Sequence, residues 1–151
     1  FDLDATVIDS SHRQITKADG SLDLRAWKKN STYDKVMRDS LLPLANYWNR
    51  IQKMRNVFIA VLTARVMADA DYDYLRFKRL KADKIMSRAF FDHRPDHIMK
   101  RQKIITFLFD NNIKDWSKVT FYDDNKNVLQ MLIDLGINAK DSIKINQELS
   151  A

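Results

Sequence analysis

At 151 residues with 45% hydrophobic side chains, the chain can bury a full core in one domain but is too short for two ordinary domains. It has no cysteine, which excludes disulfides and thiolate metal sites, and no apolar run near the roughly 20 residues that span a bilayer. We therefore expect a single soluble, cytoplasmic domain over residues 1–151 with no membrane partner, and the net charge of +6 favours anionic ligands.

Two aspartates one residue apart, Asp2 and Asp4, open the chain. On an extended segment that ends in a turn, residues i and i+2 point to the same side, so both carboxylates should converge where a strand stops. Such a pair can hold a divalent cation and divide the roles of nucleophile and acid–base catalyst. A solvated turn is the alternative interpretation. Only Phe1 remains of the hydrophobic strand expected before the pair, which leaves the anchoring of Asp2 open.

Residues 9–39 are polar and predict a small flap inserted after the acidic pair. The turn-forming dipeptide Asp19-Gly20 lies between two short alternating segments, which indicates a hairpin within the flap. Ser40 fits the N-cap of a following amphipathic helix that runs to about Met54, with Pro43 in its first turn.

Continuous apolar runs predict the central strands of a parallel sheet. The strand at 57–62 delivers Thr63-Ala64-Arg65 at its carboxyl end, and the strand at 119–122 ends in Asp123-Asp124. Shorter strands are expected at 84–87 and 142–145.

Helices are predicted at 68–80, at 96–111 and from Val128 to Leu135, where Gly136 is a suitable residue to end the helix. The alternation of strands and helices predicts an α/β domain with a mostly parallel sheet. One side of the helix predicted at 96–111 is expected to carry Ile98, Ile105, Leu108 and Phe109.

Three polar clusters lie at the carboxyl ends of predicted strands: Asp2 with Asp4, Thr63, and Asp123 with Asp124. In open parallel sheets, ligands bind beyond the carboxyl ends of the strands. We therefore expect these side chains to line one crevice.

The order of these clusters resembles that of the haloacid dehalogenase (HAD) superfamily of phosphohydrolases. The resemblance implies a HAD-like Rossmannoid three-layer αβα sandwich with a mostly parallel sheet and a small flap instead of a large cap. The matching motifs are Asp2-Leu3-Asp4-Ala5-Thr6 (the first), Val61-Leu62-Thr63-Ala64-Arg65 (the second) and Phe121-Tyr122-Asp123-Asp124 (the fourth).

The resemblance also implies catalytic roles. Asp2 becomes the nucleophile that forms an aspartyl-phosphate, and Asp4 the acid that protonates the leaving oxygen and then activates water. Mg²⁺ is implied as cofactor, bound through Asp2, the backbone carbonyl of Asp4 and Asp123, with Asp124 beside it.

Phosphate binding is implied for the second motif and for a lysine. Thr63, with backbone N–H groups near Ala64 and Arg65, would hold the transferring phosphoryl oxygens. For the lysine of the third motif we prefer Lys100 over Lys103, and a solvated helical lysine is the alternative for either.

Ala5 departs from the family, which often has glycine at this position. We expect the turn to tolerate alanine with a negative φ.

The absence of a large cap predicts an open, basic site, which suits a phosphate on a nucleotide or at a nucleic-acid end. In the flap, Trp27-Lys28-Lys29 combines an aromatic plane with two cations, a pairing that stacks bases and holds phosphates; packing of Trp27 onto the core is the alternative. Three short motifs are also similar to the phosphatase domain of polynucleotide kinase-phosphatase: the Arg94-x-Asp96 to Lys100 arrangement, Thr63-Ala64-Arg65 and Asp123-Asp124.

The sequence thus favours a Mg²⁺-dependent phosphatase acting on phosphomonoesters of nucleotides or of polynucleotide ends that carry a 3′-phosphate. The alternatives are a non-catalytic nucleic-acid-binding module on the same fold and a small-metabolite phosphatase. The oligomeric state stays open.

Overall fold

Short strands and seven α-helices alternate along the chain in a computed structural model that describes residues 1–151. The strands are Ile8–Asp9 (β1), Ser40–Leu41 (β2), Ala60–Thr63 (β3), Lys84–Ser87 (β4), Thr120–Asp123 (β5) and Asn138–Asp141 (β6). The helices are Leu24–Lys29 (α1), Tyr33–Met37 (α2), Leu44–Ile51 (α3), Asp69–Phe77 (α4), Asp96–Asp110 (α5), Lys126–Asp134 (α6) and Ser142–Ser150 (α7). The chain is therefore a mixed α/β protein, and it has no helix both long and apolar enough to cross a membrane.

The strands form three pairs. β3 and β4 are parallel, with Thr63 opposite Ser87, and β5 and β6 are parallel, with Asp123 opposite Asp141. β1 and β2 are antiparallel and join the two ends of the segment 9–39. The parallel pairs confirm the expected strand direction.

The segment Phe1–Asp2 lies between the two parallel pairs and connects them. The carbonyl of Phe1 accepts a hydrogen bond from Leu62 N at 3.0 Å, and Asp2 N donates to the carbonyl of Tyr122 at 2.9 Å. The Phe1 ring stacks on Tyr122 and on Trp48, with centroid separations of 4.9 and 5.3 Å. Burial of an aromatic side chain stabilises the fold by about 2 kcal/mol, so Asp2 is firmly anchored beside β5.

Two apolar clusters cover the strand layer. Val61 belongs to one and Leu62 to the other, and since successive strand residues point to opposite faces, the clusters lie on opposite sides of the layer. The first cluster contains, among others, Leu3, Trp48 and Tyr74, and the second contains Ile104, Leu108, Val128 and Leu132.

The predicted start of the helix that runs to about Met54, which is α3 in the structure, was wrong. Ser40 does not cap it, because Ser40–Leu41 is extended and pairs with Ile8–Asp9. The helix begins at Leu44 and follows Pro43 directly. The side chain of Asn146 from α7 accepts a hydrogen bond from the Leu44 N–H at 2.8 Å, so a distant residue satisfies this helix start.

The predicted strand at 142–145 was also wrong. These residues form the first turn of α7, and the last strand is Asn138–Asp141. The Asp141 carboxylate accepts hydrogen bonds from the backbone N–H groups of Ile143 and Lys144, which is the geometry of a helix N-cap.

The inward side of α5 differs from the expectation. Leu108 is buried, but Ile98 and Phe109 are exposed. The buried residues of this helix are Met99, Lys100, Ile104 and Leu108. The lysine on that buried face contributes to the site described below.

The other predicted elements lie close to their expected positions. The strand at 84–87 has the predicted bounds, and Gly136 follows α6 with a φ of +80°, as a helix-terminating glycine should. In the flap, Thr16 pairs with Leu22 around the Asp19-Gly20 turn, which confirms a minimal hairpin. The rest of the flap is helical, in α1, α2 and a 3₁₀ turn at Ser11–Arg13.

Candidate active site

Three carboxylates meet at the carboxyl end of the strand layer. Asp2 follows the anchored Phe1, Asp123 is the last residue of β5, and Asp124 is the next residue in the chain. One oxygen from each lies within 4.8 Å of the others; Asp2 and Asp123 are buried and Asp124 is half-buried. The structure therefore brings together the first and fourth predicted motifs.

Lys100 lies between two of these carboxylates. Its Nζ is 2.9 Å from Oδ1 of Asp2 and 2.7 Å from Oδ2 of Asp123, and its side chain is only 2% exposed. Burial lowers the pKa of Lys100, but the charges of the two aspartates outweigh burial and hold the pKa above its ordinary value. Lys103 is partly exposed and makes no contact with the cluster. Of the two candidate lysines, Lys100 occupies the site.

The cluster holds more negative charge than Lys100 can balance. Burial raises the pKa of Asp2 to about 8, and Asp123 adds to this while Lys100 opposes it. Burial and the charge of Asp123 likewise raise the pKa of Asp124 to about 6. Three converging carboxylates without a sulfur or imidazole donor suit a hard divalent cation such as Mg²⁺.

Asp4 lies apart from this cluster. Its carboxylate accepts two hydrogen bonds of 2.7 Å from Arg65 and one of 2.6 Å from the Ser10 hydroxyl, and it is 26% exposed. Burial raises the pKa of Asp4, but the charge and hydrogen bonds of Arg65 outweigh burial and keep the pKa below its ordinary value. Asp2 and Asp4 therefore have opposite electrostatic surroundings, although one residue separates them.

The turn at Ala5 contradicts the expectation of a negative φ. Ala5 has a φ of +58°, in the left-handed region, which disfavours residues with a Cβ atom. The turn is closed by the hydrogen bond from Ala5 N to the carbonyl of Ile8 at 2.9 Å. Glycine, which the HAD superfamily often has at this position, suits this backbone geometry.

The second motif lies at the end of β3. Thr63 is fully buried, and its hydroxyl oxygen accepts a hydrogen bond from Arg65 N at 3.0 Å. The carbonyl of Ala64 accepts a hydrogen bond from Nε of Arg88 at 3.0 Å. The turn after Thr63 is thus fixed from both sides, and it presents the Arg65 side chain to Asp4.

Arg65 is the centre of a buried ionic network that sequence reasoning missed. Its Nη1 lies 2.7 Å from Asp71, and its Nη2 lies 3.3 Å from Asp39. Asp39 in turn accepts hydrogen bonds of 2.8 and 2.9 Å from Arg13. No spacing in the sequence links these residues, which come from the flap, the turn after β3 and α4. The network fastens the flap to the core beside Asp4.

Trp27 lies on α1 and packs against this network. The guanidinium carbon of Arg13 is 4.2 Å from the Trp27 ring centroid, and that of Arg65 is 5.8 Å away. Trp27 is therefore beside the site and partly exposed. These contacts match the packing interpretation, and base stacking by Trp27 stays a prediction.

Residues 1–151 match the family described as bacteriophage T5 5′-deoxynucleotidase. The chain is 30% identical over 172 residues to the 5′-deoxynucleotidase of Escherichia phage T5, an alignment that covers 99% of this chain and 68% of that protein.

Two solved structures have a similar fold. A chain in the structure described as "Structure of the Pnkp1/Rnl/Hen1 RNA repair complex" is 18% identical with a TM-score of 0.58, over 93% of this chain and 40% of the other. A chain in the "Structure of Pnkp1/Rnl/Hen1 complex" is 19% identical with a TM-score of 0.61, over 93% and 43%. This chain spans less than half the length of those two chains, and at these identities the similarity concerns the fold alone.

Proposed function

This chain belongs to the bacteriophage T5 5′-deoxynucleotidase family, and we propose that it is a Mg²⁺-dependent phosphatase that hydrolyses nucleotide phosphomonoesters through an aspartyl-phosphate on Asp2. The observation that carries the proposal is the buried contact of Lys100 with both Asp2 and Asp123 at the carboxyl end of the strand layer. Removing a lysine and two acids from water costs desolvation free energy, and buried ionisable groups of this kind cluster at functional sites.

Asp2 is the nucleophile in this proposal. One of its carboxylate oxygens attacks phosphorus, the bond from phosphorus to the ester oxygen breaks, and the electron pair leaves with the nucleoside oxygen. Asp4 protonates that oxygen, and then takes a proton from the water that attacks the aspartyl-phosphate, releasing phosphate and restoring Asp2.

The hydrogen-bonded pair of Arg65 and Asp4 affects both proton transfers that this proposal assigns to Asp4. It keeps Asp4 ionised, which suits the acceptance of a proton from water. To donate a proton in the first step, Asp4 must first leave at least one of these hydrogen bonds and take up a proton from solvent. We therefore propose that substrate entry loosens the pair.

Carboxylate and backbone carbonyl oxygens would hold the Mg²⁺ ion in this proposal. Asp2, Asp123 and the backbone carbonyl of Asp4 would bind Mg²⁺, with Asp124 beside it. The ion, when bound, neutralises charge on the transferring phosphoryl group. Lys100 offsets the remaining charge of the acids, and Thr63, with the turn at Ala64 and Arg65, holds the phosphoryl oxygens.

The proposed fold is a HAD-like Rossmannoid three-layer αβα sandwich, formed as a single domain with a flap at residues 9–39. Parallel strand pairs, joined by Phe1–Asp2 and covered by apolar clusters on both sides, support it. The preference for nucleotides follows from the family, and action on polynucleotide 3′-phosphate ends stays a further prediction.

Phosphate release from the four deoxynucleoside 5′-monophosphates, with and without Mg²⁺, tests the function. We expect turnover in wild type and in Asp110→Asn, an exposed acid at the end of α5, and none in folded Asp2→Asn. Turnover that survives Asp2→Asn contradicts the mechanism. Salt-sensitive nucleic-acid binding without turnover by wild type instead indicates a non-catalytic binding module.

A further inference from the structure

Two consecutive phenylalanines project from the segment between β4 and α5. Phe90 is 71% exposed and Phe91 is 82% exposed. Single exposed apolar side chains are ordinary. Two adjacent aromatic rings exposed to water are unfavourable, and neither ring packs into one of the two apolar clusters. Their position relative to the site therefore matters.

The loop that carries them is fixed to the second motif by Arg88. Nε of Arg88 donates to the carbonyl of Ala64 at 3.0 Å, and Arg88 N donates to the carbonyl of Arg65 at 3.0 Å. Nη1 of the same guanidinium donates to the carbonyl of Arg94 at 2.7 Å, and Nη2 to Asp96 at 2.6 Å. Both ends of the loop are thus held against the turn that follows Thr63.

The other side of the loop faces the flap. Nζ of Lys28 lies 5.1 Å from the ring centroid of Phe90, within the range of a cation–π contact. Lys28 belongs to α1, whose Trp27 ring lies beside Arg13 and Arg65. Phe90 therefore connects two parts of the molecule that flank Arg65, the partner of Asp4: its own loop, which Arg88 ties to the backbone of Ala64 and Arg65, and the flap helix α1, whose Trp27 ring lies beside Arg65.

We propose that Phe90 and Phe91 form the platform on which the nucleobase of the substrate stacks. The inference rests on the proposed function and names the part of the substrate that lies outside the phosphate site. Every base offers a flat π-face to an aromatic ring, so such a platform tolerates all four bases. It distinguishes nucleotides from sugar phosphates, which have no such face.

The rigidity of the loop supports this assignment. Arg88 closes the loop with hydrogen bonds to backbone carbonyls and to Asp96, so less conformational freedom is lost when a base binds. The neighbouring Lys28 and Lys29 add positive charge on the flap side, where it favours an anionic ligand.

The test compares deoxyadenosine 5′-monophosphate with 2-deoxyribose 5-phosphate, which lacks the base. In the double variant Phe90→Ala/Phe91→Ala, kcat/KM for the nucleotide should fall by about tenfold or more, while kcat/KM for the sugar phosphate is unchanged. Phe77→Ala, a matched control that removes a 67% exposed ring at the end of α4, should leave both values unchanged. Phe91→Trp should retain the nucleotide activity.

Three results would overturn the platform: an equal fall for both substrates, no fall for either, or a change from dimer to monomer on gel filtration, which would mean that a second copy covers the rings. Absence of phosphate release from both substrates by wild type contradicts the proposed function instead. In that case, calorimetric binding of deoxyadenosine 5′-monophosphate decides the platform, because the double variant must bind it at least several-fold more weakly than wild type.

Discussion

Arg65 binds Asp4 through two parallel hydrogen bonds, Nε to Oδ2 and Nη2 to Oδ1, each 2.7 Å long. This two-point contact fixes the plane of the carboxylate as well as its position. The orientation of the proposed acid–base residue therefore depends on a side chain 61 positions away in the sequence.

Arg65→Lys tests this dependence. A lysine keeps the positive charge but cannot make the two-point contact, so we expect kcat for a deoxynucleotide to fall about 100-fold through misplacement of Asp4. The same change in Arg76, which is exposed on α4, should leave kcat unaltered. An Arg65→Lys enzyme with wild-type kcat would show that Asp4 is oriented by other groups.

Lys100→Met removes the cation between Asp2 and Asp123 with little change in side-chain volume. We expect kcat to fall by a factor of about 100 or more, because the phosphoryl group then meets two unbalanced acids. Lys103→Met is the matched control on the same helix and should remain active. Equal losses in the two variants would indicate a helix effect rather than a charge effect.

Metal dependence should follow the carboxylate cluster. A chelator should abolish phosphate release, and added Mg²⁺ should restore it. Asp124→Asn removes one charge beside the proposed ion and should raise the Mg²⁺ concentration needed for half-maximal rate by about tenfold. Asp134→Asn, on the exposed end of α6, should not shift that concentration. A metal titration that is identical in all three proteins would exclude Asp124 from the metal environment.

The sequence predicted those secondary-structure elements that depend on interactions between residues close together in the chain. The strand β5 follows from the apolar run at 119–122, and the helix end at Gly136 follows from a residue that tolerates positive φ. The strand expected at 142–145 failed because Asp141 caps a helix there, and two isoleucines in four residues fit either structure.

The site was predictable only in part, for the same reason. Motif order along strands indicated that Asp2, Thr63 and Asp123 would lie at one edge of the layer. The contacts of Arg65 with Asp39 and Asp71 join distant segments, and no periodicity encodes them. The residue pattern alone did not show that Lys100 points inward, because a charged residue on a helix is usually solvated, and only the resemblance to the HAD superfamily favoured it.

Ala5→Gly should stabilise the protein. The φ of +58° at Ala5 costs about 1 kcal/mol for a residue with a Cβ, and glycine removes that cost. Urea unfolding should therefore give a free energy of unfolding higher by up to about 1 kcal/mol. Ala26→Gly inside α1 should do the opposite and lower it by about 1 kcal/mol. A loss of stability in Ala5→Gly would mean that the turn is not strained.

Tyr74→Phe should change stability in a pH-dependent way. The buried Tyr74 hydroxyl donates to the carbonyl of Asp39 at 2.8 Å, so its removal should cost about 1 kcal/mol at neutral pH. Burial, with the charge of Asp39, raises the pKa of Tyr74 to about 12.

The sign at high pH follows from this raised pKa. The stabilisation from Tyr74 is complete below pH of about 10, the unfolded value, and is lost as pH rises toward 12. The stability difference between wild type and Tyr74→Phe should therefore shrink over that range in urea titrations. Tyr72→Phe, at an exposed tyrosine of α4, provides the control. A difference that stays constant between pH 9 and 11.5 would contradict the raised pKa.

The position of Phe1–Asp2 between β3 and β5 has a consequence for how the protein folds. Phe1 pairs with Leu62 and Asp2 with Tyr122, so each contact joins segments that are far apart in the sequence. These hydrogen bonds link the β3–β4 pair to the β5–β6 pair. Contacts of long sequence separation slow folding, because the entropy of closing a long loop opposes them. Completing the strand layer therefore also places Asp2, the proposed nucleophile, beside Asp123, and a chain whose two strand pairs have not joined should lack phosphatase activity.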